Sequence, residues 1–319
     1  MQQPISIAVI DDWQGVAERM ADWSAVRRLG TVTFFQDYPA PPAEMAKRLE
    51  AFDVICLMRE RSCFDRQLLT RLPRLKLLLT SGMRNAAISL EAAAQAGIVV
   101  CGTESGKYAA AELTWALIMA IARNLEAEMA SLKSGGWQVG LGRGLYGKTL
   151  GILGLGRIGQ RVAGYARAFG MNVIGWSPHL TADGANQHGV TYVGKEALFQ
   201  QSDVLTIHMV LSDRSRGIVD ASSLARMKSS AYLVNTSRGP LVDEAALINL
   251  LRGRHIGGAA LDVFDQEPLP KDHPFRHLSN VLATPHIGYV IEEDYRVFFS
   301  QMIEDILAWH GGSPVRVIR

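Results

Sequence analysis

A glycine-rich hexapeptide, GLGRIG at residues 154–159, has the residue types and spacing of a pyrophosphate-binding loop, and it lies between a strand-like apolar run and a helical pattern. In such a loop Gly154 permits a tight turn, Gly156 lets the backbone approach the anion, and Gly159 allows close packing of the helix. Free N–H groups at the helix start attract negative charge. The sequence therefore predicts a dinucleotide site, whose loop residues are Gly154, Gly156, Arg157, Ile158 and Gly159.

The end of the next predicted strand bears on which dinucleotide is bound. An Asp or Glu at this position would bond the ribose 2′-hydroxyl of NAD, but the strand here ends in GWSPH (175–179). Without a carboxylate nothing repels a 2′-phosphate, and Ser177 could donate a hydrogen bond to it. NADP is therefore admissible beside NAD, and the preference stays open because no Arg follows immediately.

Four ionisable side chains follow predicted strands further along the chain. The segments are NTSRGPLVD (235–243), ALDVFDQEP (260–268) and TPHIG (284–288), and they carry Arg238, Asp262, Glu267 and His286. Open α/β sheets place their ligands at the carboxyl ends of the strands. We therefore expect these four side chains near one rim of a sheet.

Two series of strand- and helix-like segments supply the framework. Continuous apolar runs are typical of parallel strands covered on both faces. In the first series they lie at 5–10, 31–35, 53–58, 75–81 and 98–102, and in the second at 149–154, 171–176, 203–209, 231–236, 257–263 and 280–285. One long helix is predicted between the series, from about 105 to 129, and a glycine-rich linker follows it at 133–148. The fold class is α/β with two domains.

Composition narrows the ligand class. The 319 residues suffice for two domains, and 33 Lys and Arg against 31 Asp and Glu leave a net charge of +2, too balanced for nucleic acid or an anionic membrane surface. Three cysteines without a Cys-x-x-Cys spacing argue against a disulfide framework and favour a reducing cytoplasm. We see no secretory signal or membrane span, so a small-molecule ligand is expected.

The glycine loop, the three strand-end segments, their order and the two-series organisation together resemble the D-isomer-specific 2-hydroxyacid dehydrogenase family over nearly the whole chain. The resemblance implies a Rossmann NAD(P)-binding domain, residues 104–289, inserted into a flavodoxin-like α/β substrate-binding domain, residues 1–103 plus 290–319. It also implies NAD(P)H as cofactor and a homodimer joined through the cofactor domains. The chain resembles the short forms of the family, which include glyoxylate and hydroxypyruvate reductases and short phosphoglycerate dehydrogenase-like proteins.

By this resemblance, Arg238 binds the substrate carboxylate, His286 is the general acid or base, Glu267 is the partner of His286, and Asp262 lies at the nicotinamide end of the cofactor. The residue types suit the reaction. An Arg can bind a 2-oxo acid's carboxylate bidentately and so orient the adjacent carbonyl. The carbonyl oxygen becomes basic when hydride arrives, and a histidine held by a carboxylate can supply the proton.

Further contacts are implied by the same resemblance. Those to the cofactor come from Thr114, Ser177, His208 and Thr236, and a substrate loop after an early strand comprises Ser81, Gly82, Met83 and Arg84. Two positions depart from the family pattern. Val210 stands where Pro is common, and Arg84 stands where many relatives have an uncharged residue. Arg84 is either an exposed charge or a ligand for a second polar group of the substrate.

The expected function is hydride transfer between NAD(P)H and a small 2-oxo acid or D-2-hydroxy acid, of the glyoxylate, hydroxypyruvate or pyruvate type. One alternative is an NAD(H)-sensing binding protein resembling a corepressor, and another is a formate- or phosphite-type dehydrogenase. No metal is expected. His273 and His277 have helical spacing, but Pro274 lies between them and no third ligand accompanies them.

Overall fold

The computed structural model describes residues 3–37 and 41–319. The chain divides into two compact units. Unit 1 comprises Met1–Gly106 and Val290–Arg319, and unit 2 comprises Lys107–Tyr289. Both units are parallel sheets with packed helices, so the predicted α/β class is confirmed.

The regular elements are as follows. The strands are β1 (Ile5–Val9), β2 (Gly30–Phe34), β3 (Val54–Leu57), β4 (Leu77–Thr80), β5 (Val99–Gly102), β6 (Thr149–Leu153), β7 (Asn172–Trp176), β8 (Thr191–Tyr192), β9 (Val204–Ile207), β10 (Tyr232–Asn235), β11 (Gly258–Leu261) and β12 (Val281–Ala283). The α-helices are α1 (Ala17–Met20), α2 (Ser24–Arg27), α3 (Pro42–Leu49), α4 (Arg66–Leu69), α5 (Leu90–Gln95), α6 (Ala109–Ala122), α7 (Leu125–Lys133), α8 (Arg157–Ala168), α9 (Ala182–Asn186), α10 (Lys195–Gln201), α11 (Ala221–Leu224), α12 (Glu244–Arg252) and α13 (Glu292–His310). Short 3₁₀ helices lie at Gly239–Leu241 and Pro274–Arg276.

A five-stranded parallel sheet with strand order β2-β1-β3-β4-β5 forms the centre of unit 1. This is the order of flavodoxin-like sheets. β3 and β4 are buried along their whole length, which accounts for their continuous apolar sequences. The last helix, α13, packs on α1, α2 and β4 and buries Phe298 and Phe299. Beyond it Ile318 N–H donates to Val100 O at 2.8 Å, so the chain's last residues lie beside β5.

Unit 2 has a seven-stranded parallel sheet with strand order β12-β11-β10-β9-β6-β7-β8. β6 lies between β7 and β9, so the chain reverses its direction of progress across the sheet at this strand. Rossmann folds bind dinucleotides outside the carboxyl ends of the strands at such a reversal. The two-residue strand β8 was not predicted, because it is exposed and too short to give a hydrophobic pattern.

The prediction of one continuous helix from about 105 to 129 is wrong, because the structure contains two helices there, α6 and α7. Asn124 separates them and has φ 54°, in the left-handed region. Asn is one of the few residues other than glycine that enter this region readily. The apolar and Ala-rich pattern continues on both sides of the break, so helical periodicity alone does not reveal it.

Candidate active site

The glycine loop follows β6 directly, and its geometry leaves no room for side chains at two positions. Gly154 has φ 102°, and a Cβ there would lie 2.7 Å from the backbone of His208. A Cβ at Gly159 would lie 2.3 Å from the carbonyl oxygen of Gly154. Glycine is therefore required at both positions, for the turn and for the close packing of α8 on the strand.

The first turn of α8 presents its backbone donors to an anion. Gly156 is the N-cap residue, and in the described part of the chain no side chain caps the helix and no acidic residue lies in its first turn. Arg157 is exposed at this turn and Ile158 is partly buried. The first N–H groups of a helix have no partner within the helix, and the helix dipole adds positive potential. A pyrophosphate fits this cradle.

The carboxyl end of β7 lies beside the loop. Leu155 N–H donates to Ser177 Oγ at 2.9 Å, which ties the glycine loop to the residue after β7. A cavity of about 580 Å³ is lined by Gly154, Gly156, Ser177 and His208 among others. Several residues assigned to the cofactor from the sequence therefore share one cavity in unit 2.

Three adjacent strands bring the candidate reactive groups to one edge of the sheet. In register, Asn235 of β10 pairs with Leu261 of β11, and Leu261 pairs with Ala283 of β12. The three strands therefore end level with one another. The predicted residues follow these ends closely in sequence, and they are Arg238, Asp262, Glu267 and His286.

His286 and Glu267 form a direct pair. His286 Nδ1 lies 2.5 Å from Glu267 Oε2, and the side chains are 21% and 34% exposed, so solutes can reach both. Phe264 N–H donates to Glu267 Oε1 at 2.9 Å, which fixes the carboxylate. His286 has φ 52°, a conformation uncommon for a residue with a side chain and often found at functional sites. Because Glu267 engages Nδ1, Nε2 is the ring nitrogen not used by this pair.

Asp262 holds the loop that carries His286. Its Oδ1 accepts from Thr284 Oγ1 at 2.6 Å and from Ile287 N–H at 2.8 Å, and its Oδ2 accepts from Gly288 N–H at 2.9 Å. Burial raises the pKa of this carboxyl, although the hydrogen bonds oppose the shift. Asp262 is fully buried. This geometry favours a role in positioning residues 284–288, and contact with the nicotinamide end stays a prediction.

Arg238 lies in a turn that packs against the segment carrying Glu267. Asn235 Nδ2 donates to the Arg238 carbonyl at 2.9 Å, and Arg238 Nη1 donates to Ser237 O at 2.7 Å. A Cβ on Gly239 would lie 2.1 Å from the backbone of Phe264. The two turns are therefore in direct backbone contact, and the half-buried Arg238 is held near the edge where β10 ends.

Two hydroxyl groups join α6 to the residue that follows β10. Thr114 Oγ1 lies 2.7 Å from Thr236 Oγ1 and donates to Ala110 O at 2.7 Å. Thr114 is fully buried, whereas Thr236 is partly exposed. Thr236 is therefore the more accessible of the two hydroxyl groups, and contact of either residue with a cofactor stays a prediction.

His208 is expected to stay neutral throughout the physiological range. Its Nε2 lies 3.0 Å from Thr206 Oγ1, and burial lowers the pKa of the ring from 6.5 to about 3. The unfolded chain binds this proton at higher pH, so His208 costs stability progressively as pH falls below about 6.5. NMR of the ring should show no titration of His208 between pH 5 and pH 8. A midpoint in that range would contradict the burial argument.

The predicted substrate loop lies in unit 1, after β4. Ser81 N–H donates to Leu57 O at 3.3 Å, and Gly82 N–H donates to Thr103 Oγ1 at 2.9 Å. Both residues are buried, whereas Met83 and Arg84 are exposed. The backbone N–H groups of Ser81 and Gly82 are therefore engaged within unit 1, and substrate binding by residues 81–84 stays a prediction.

Arg59 is a neighbour of this loop that the sequence analysis missed. It follows β3 with φ 53°, and its Nη1 would lie 2.2 Å from a Cβ on Gly82. Its backbone N–H donates to Ser81 Oγ at 2.9 Å. The guanidinium therefore lies over the loop. A strand-end arginine in MRER, two residues past β3, was the available signal.

Residues 3–37 and 41–319 contain neither a metal-binding cluster nor a membrane-spanning helix. No group of three or more His, Cys, Asp or Glu side chains there is placed to hold a metal ion. His273 Nε2 instead lies 3.1 Å from Glu244 Oε1. Within the same residues, no helix combines the length and the apolar character needed to cross a bilayer.

Similarity to known proteins extends over most of the chain. Residues 115–288 match the family model described as D-isomer specific 2-hydroxyacid dehydrogenase, NAD binding domain. The chain is 37% identical over 293 residues to the glyoxylate reductase of Aeropyrum pernix, covering 88% of this chain and 87% of that protein. It is 39% identical over 267 residues to the D-3-phosphoglycerate dehydrogenase of Methanocaldococcus jannaschii, covering 82% of this chain and 51% of that protein.

The chain thus spans about half the length of the curated phosphoglycerate dehydrogenases it matches. Among solved structures, the phosphoglycerate oxidoreductase of Vibrio cholerae O395 superposes with a TM-score of 0.92 at 36% identity, covering 97% of this chain and 100% of that one. The family model covers more than half of the chain, and the glyoxylate reductase is matched over most of its length. The chain belongs to the D-isomer specific 2-hydroxyacid dehydrogenase family.

Proposed function

We propose that this protein is an NAD(P)-dependent oxidoreductase that interconverts a small 2-oxo acid and the corresponding D-2-hydroxy acid. The observation that carries the proposal is the pair His286 and Glu267, at 2.5 Å, on the sheet edge where Arg238 also lies. A proton donor with a carboxylate partner and a carboxylate-binding guanidinium are the two groups that reduction of a 2-oxo acid requires.

The residues of unit 2 fit a nicotinamide dinucleotide. Gly154, Gly156 and Gly159 leave the space for a pyrophosphate, and the uncapped start of α8 supplies donors to it. A bound nicotinamide would supply or accept the hydride. The chain's own residues then have three tasks, which are to hold the substrate acid, to orient its carbonyl and to move one proton.

The proton is assigned to His286 Nε2. Glu267 fixes the ring through Nδ1, so the opposite nitrogen has a defined direction. In the reducing direction His286 donates this proton to the carbonyl oxygen, and in the oxidising direction it removes the hydroxyl proton. Arg238 binds the neighbouring carboxylate and thereby limits the carbonyl to one orientation.

The test is a panel of 2-oxo acids, each assayed with NADH and with NADPH by the loss of nicotinamide absorbance. Glyoxylate, hydroxypyruvate and pyruvate are the first members. Phosphohydroxypyruvate is included because Arg84, in the predicted substrate loop, could bind a second anionic group, and Arg59 lies over that loop. Turnover with any member supports the proposal, and formate and phosphite in the oxidising direction complete the panel.

An NAD(H)-sensing protein is the rival function. It would bind cofactor without turning over any member of the panel. The accessible His286 and Glu267 pair favours the enzyme, because a sensor has no need of an exposed proton donor. Tight cofactor binding without turnover of any member of the panel would favour the sensor.

A homodimer is proposed through an apolar surface of unit 2. Exposed apolar side chains are concentrated on α7 and the segment after it, at Leu125, Met129, Leu132, Trp137, Val139, Leu141 and Tyr146. Trp137 is 74% exposed and Leu141 is 98% exposed. Several exposed apolar side chains on one short segment often mark an interface.

The dimer prediction is tested with Leu141→Asp. Light scattering after size-exclusion chromatography should give twice the chain mass for the wild type and a shift towards single chains for the variant, because burying the new carboxylate is costly. Val210→Asp, at another exposed apolar residue outside this surface, is the control and should stay dimeric. A wild type that is a single chain at micromolar concentration would contradict the prediction.

The cytoplasm is the proposed location. Cys56, Cys63 and Cys101 are all free thiols, which accords with a reducing compartment. Microscopy or fractionation of the tagged chain in its own cell tests this.

A further inference from the structure

The cavity between the glycine loop and the end of β7 has an unusual charge pattern for an NAD site. None of the fourteen residues that line it in the described chain is Asp or Glu. NAD-specific Rossmann sites use an acidic residue at this strand end to hold the ribose hydroxyls. The cavity therefore has neither the usual ligand for an unmodified ribose nor a group that repels an added phosphate.

Two side chains of types that can bind phosphate, Ser177 and Arg214, line this cavity. Ser177 lines it directly after β7, and its Oγ accepts from Leu155 N–H at 2.9 Å. That bond uses an oxygen lone pair, so the hydroxyl hydrogen is available for donation. Arg214 lines the cavity from the segment after β9 and is exposed. A guanidinium is the side chain best suited to bidentate binding of phosphate.

Arg214 is the one permanently charged side chain among the lining residues that the structure describes. Two other arginines that are near in sequence or at the glycine loop do not line this cavity. Arg216, two residues on, lines a different cavity with Asp220 and Asp265, and Arg157 lies at the first turn of α8 without lining this cavity. Asp213 precedes Arg214 in sequence but is also absent from the lining.

We propose that this cavity takes the adenosine ribose of NADP(H), and that Arg214 together with Ser177 binds its 2′-phosphate, so that the protein prefers NADP(H) to NAD(H). The inference rests on the proposed function, because it assigns a cofactor to the same site. It adds a specificity residue, Arg214, which lies 37 positions after Ser177, the residue beyond the strand end where cofactor choice is usually read from sequence.

The experiment measures dissociation constants of NADPH and NADH for the full chain by nicotinamide fluorescence, with no substrate present. NADPH should bind the wild type at least about tenfold more tightly. Arg214→Gln should raise the dissociation constant of NADPH by about 10- to 100-fold, the usual effect of losing a charge-assisted hydrogen bond. It should change the dissociation constant of NADH by less than about twofold. Arg216→Gln is the matched control and should change neither constant.

A second variant tests the ribose position independently. Ser177→Asp places a carboxylate at the end of β7, which would repel the 2′-phosphate and accept from the ribose hydroxyls. We expect NADPH to bind more weakly and NADH more tightly, so the preference should reverse. An unchanged ratio of the two constants would overturn the placement of the ribose.

The remaining outcomes separate this inference from the function on which it rests. Equal or tighter binding of NADH by the wild type, or equal losses for both cofactors in Arg214→Gln, would overturn the selectivity and leave a nicotinamide-dependent enzyme in place. Failure of the wild type to bind either cofactor would contradict the proposed function itself, and this inference with it.

Discussion

Replacing His286 with alanine is expected to lower kcat by about 10²- to 10⁴-fold, while the dissociation constant of the nicotinamide cofactor stays within about twofold of the wild type. The ring is held at 2.5 Å from Glu267 and is 21% exposed, so it can meet a reactant. Alanine removes the proton donor but leaves the glycine loop and α8 intact. Steady-state rates with the best 2-oxo acid, and cofactor fluorescence titrations, measure the two quantities.

Two further variants make this result specific. His277→Ala removes an exposed histidine of the same unit and should leave kcat unchanged. Glu267→Gln keeps an oxygen that can accept from Nδ1 but removes the charge, so its loss of kcat should be smaller than that of His286→Ala. A His286→Ala enzyme with wild-type kcat would rule out His286 as the proton donor.

The parallel strands that position this site are predictable from sequence because local residue patterns indicate them. Continuous apolar runs predicted the parallel strands, and the carboxyl-end rule predicted that residues after β10, β11 and β12 would share an edge. The register Asn235 to Leu261 to Ala283 shows that these strands do end level. The glycine spacing also predicted two positions where the structure has no room for a Cβ, Gly154 and Gly159.

Other features depend on tertiary contacts that no local pattern encodes. The sequence does not show that Asp262 gives both oxygens to the 284–288 loop, or that Gly82 N–H is taken by Thr103. The positions of Arg59 and Arg214 also depend on tertiary contacts. Each lies in an ordinary polar segment, and only the fold places one over Gly82 and the other in the cavity beside Ser177.

The substrate-binding assignment predicts that Arg238→Ala lowers kcat/KM by about 10²- to 10⁴-fold, since two charge-assisted hydrogen bonds of about 1.5–3 kcal/mol each are lost. KM should rise, because the carboxylate is bound in the ground state as well as in the transition state, and kcat should also fall, because the carbonyl is no longer oriented. Arg238→Lys should recover only part of the loss, since an ammonium cannot form the paired bonds.

A structural role for the Arg238 side chain is the competing explanation, because its Nη1 donates to Ser237 O within the turn. The two roles differ in what else they change. If Arg238 acts on the substrate, Arg238→Ala should keep its cofactor affinity and its thermal unfolding midpoint, and added guanidinium should restore part of the rate. Arg226→Ala, at an exposed ion pair with Glu196, is the matched control and should keep the wild-type kcat/KM. A loss of cofactor affinity and stability in Arg238→Ala, without rescue, would assign the residue to the turn and leave the carboxylate to another cation.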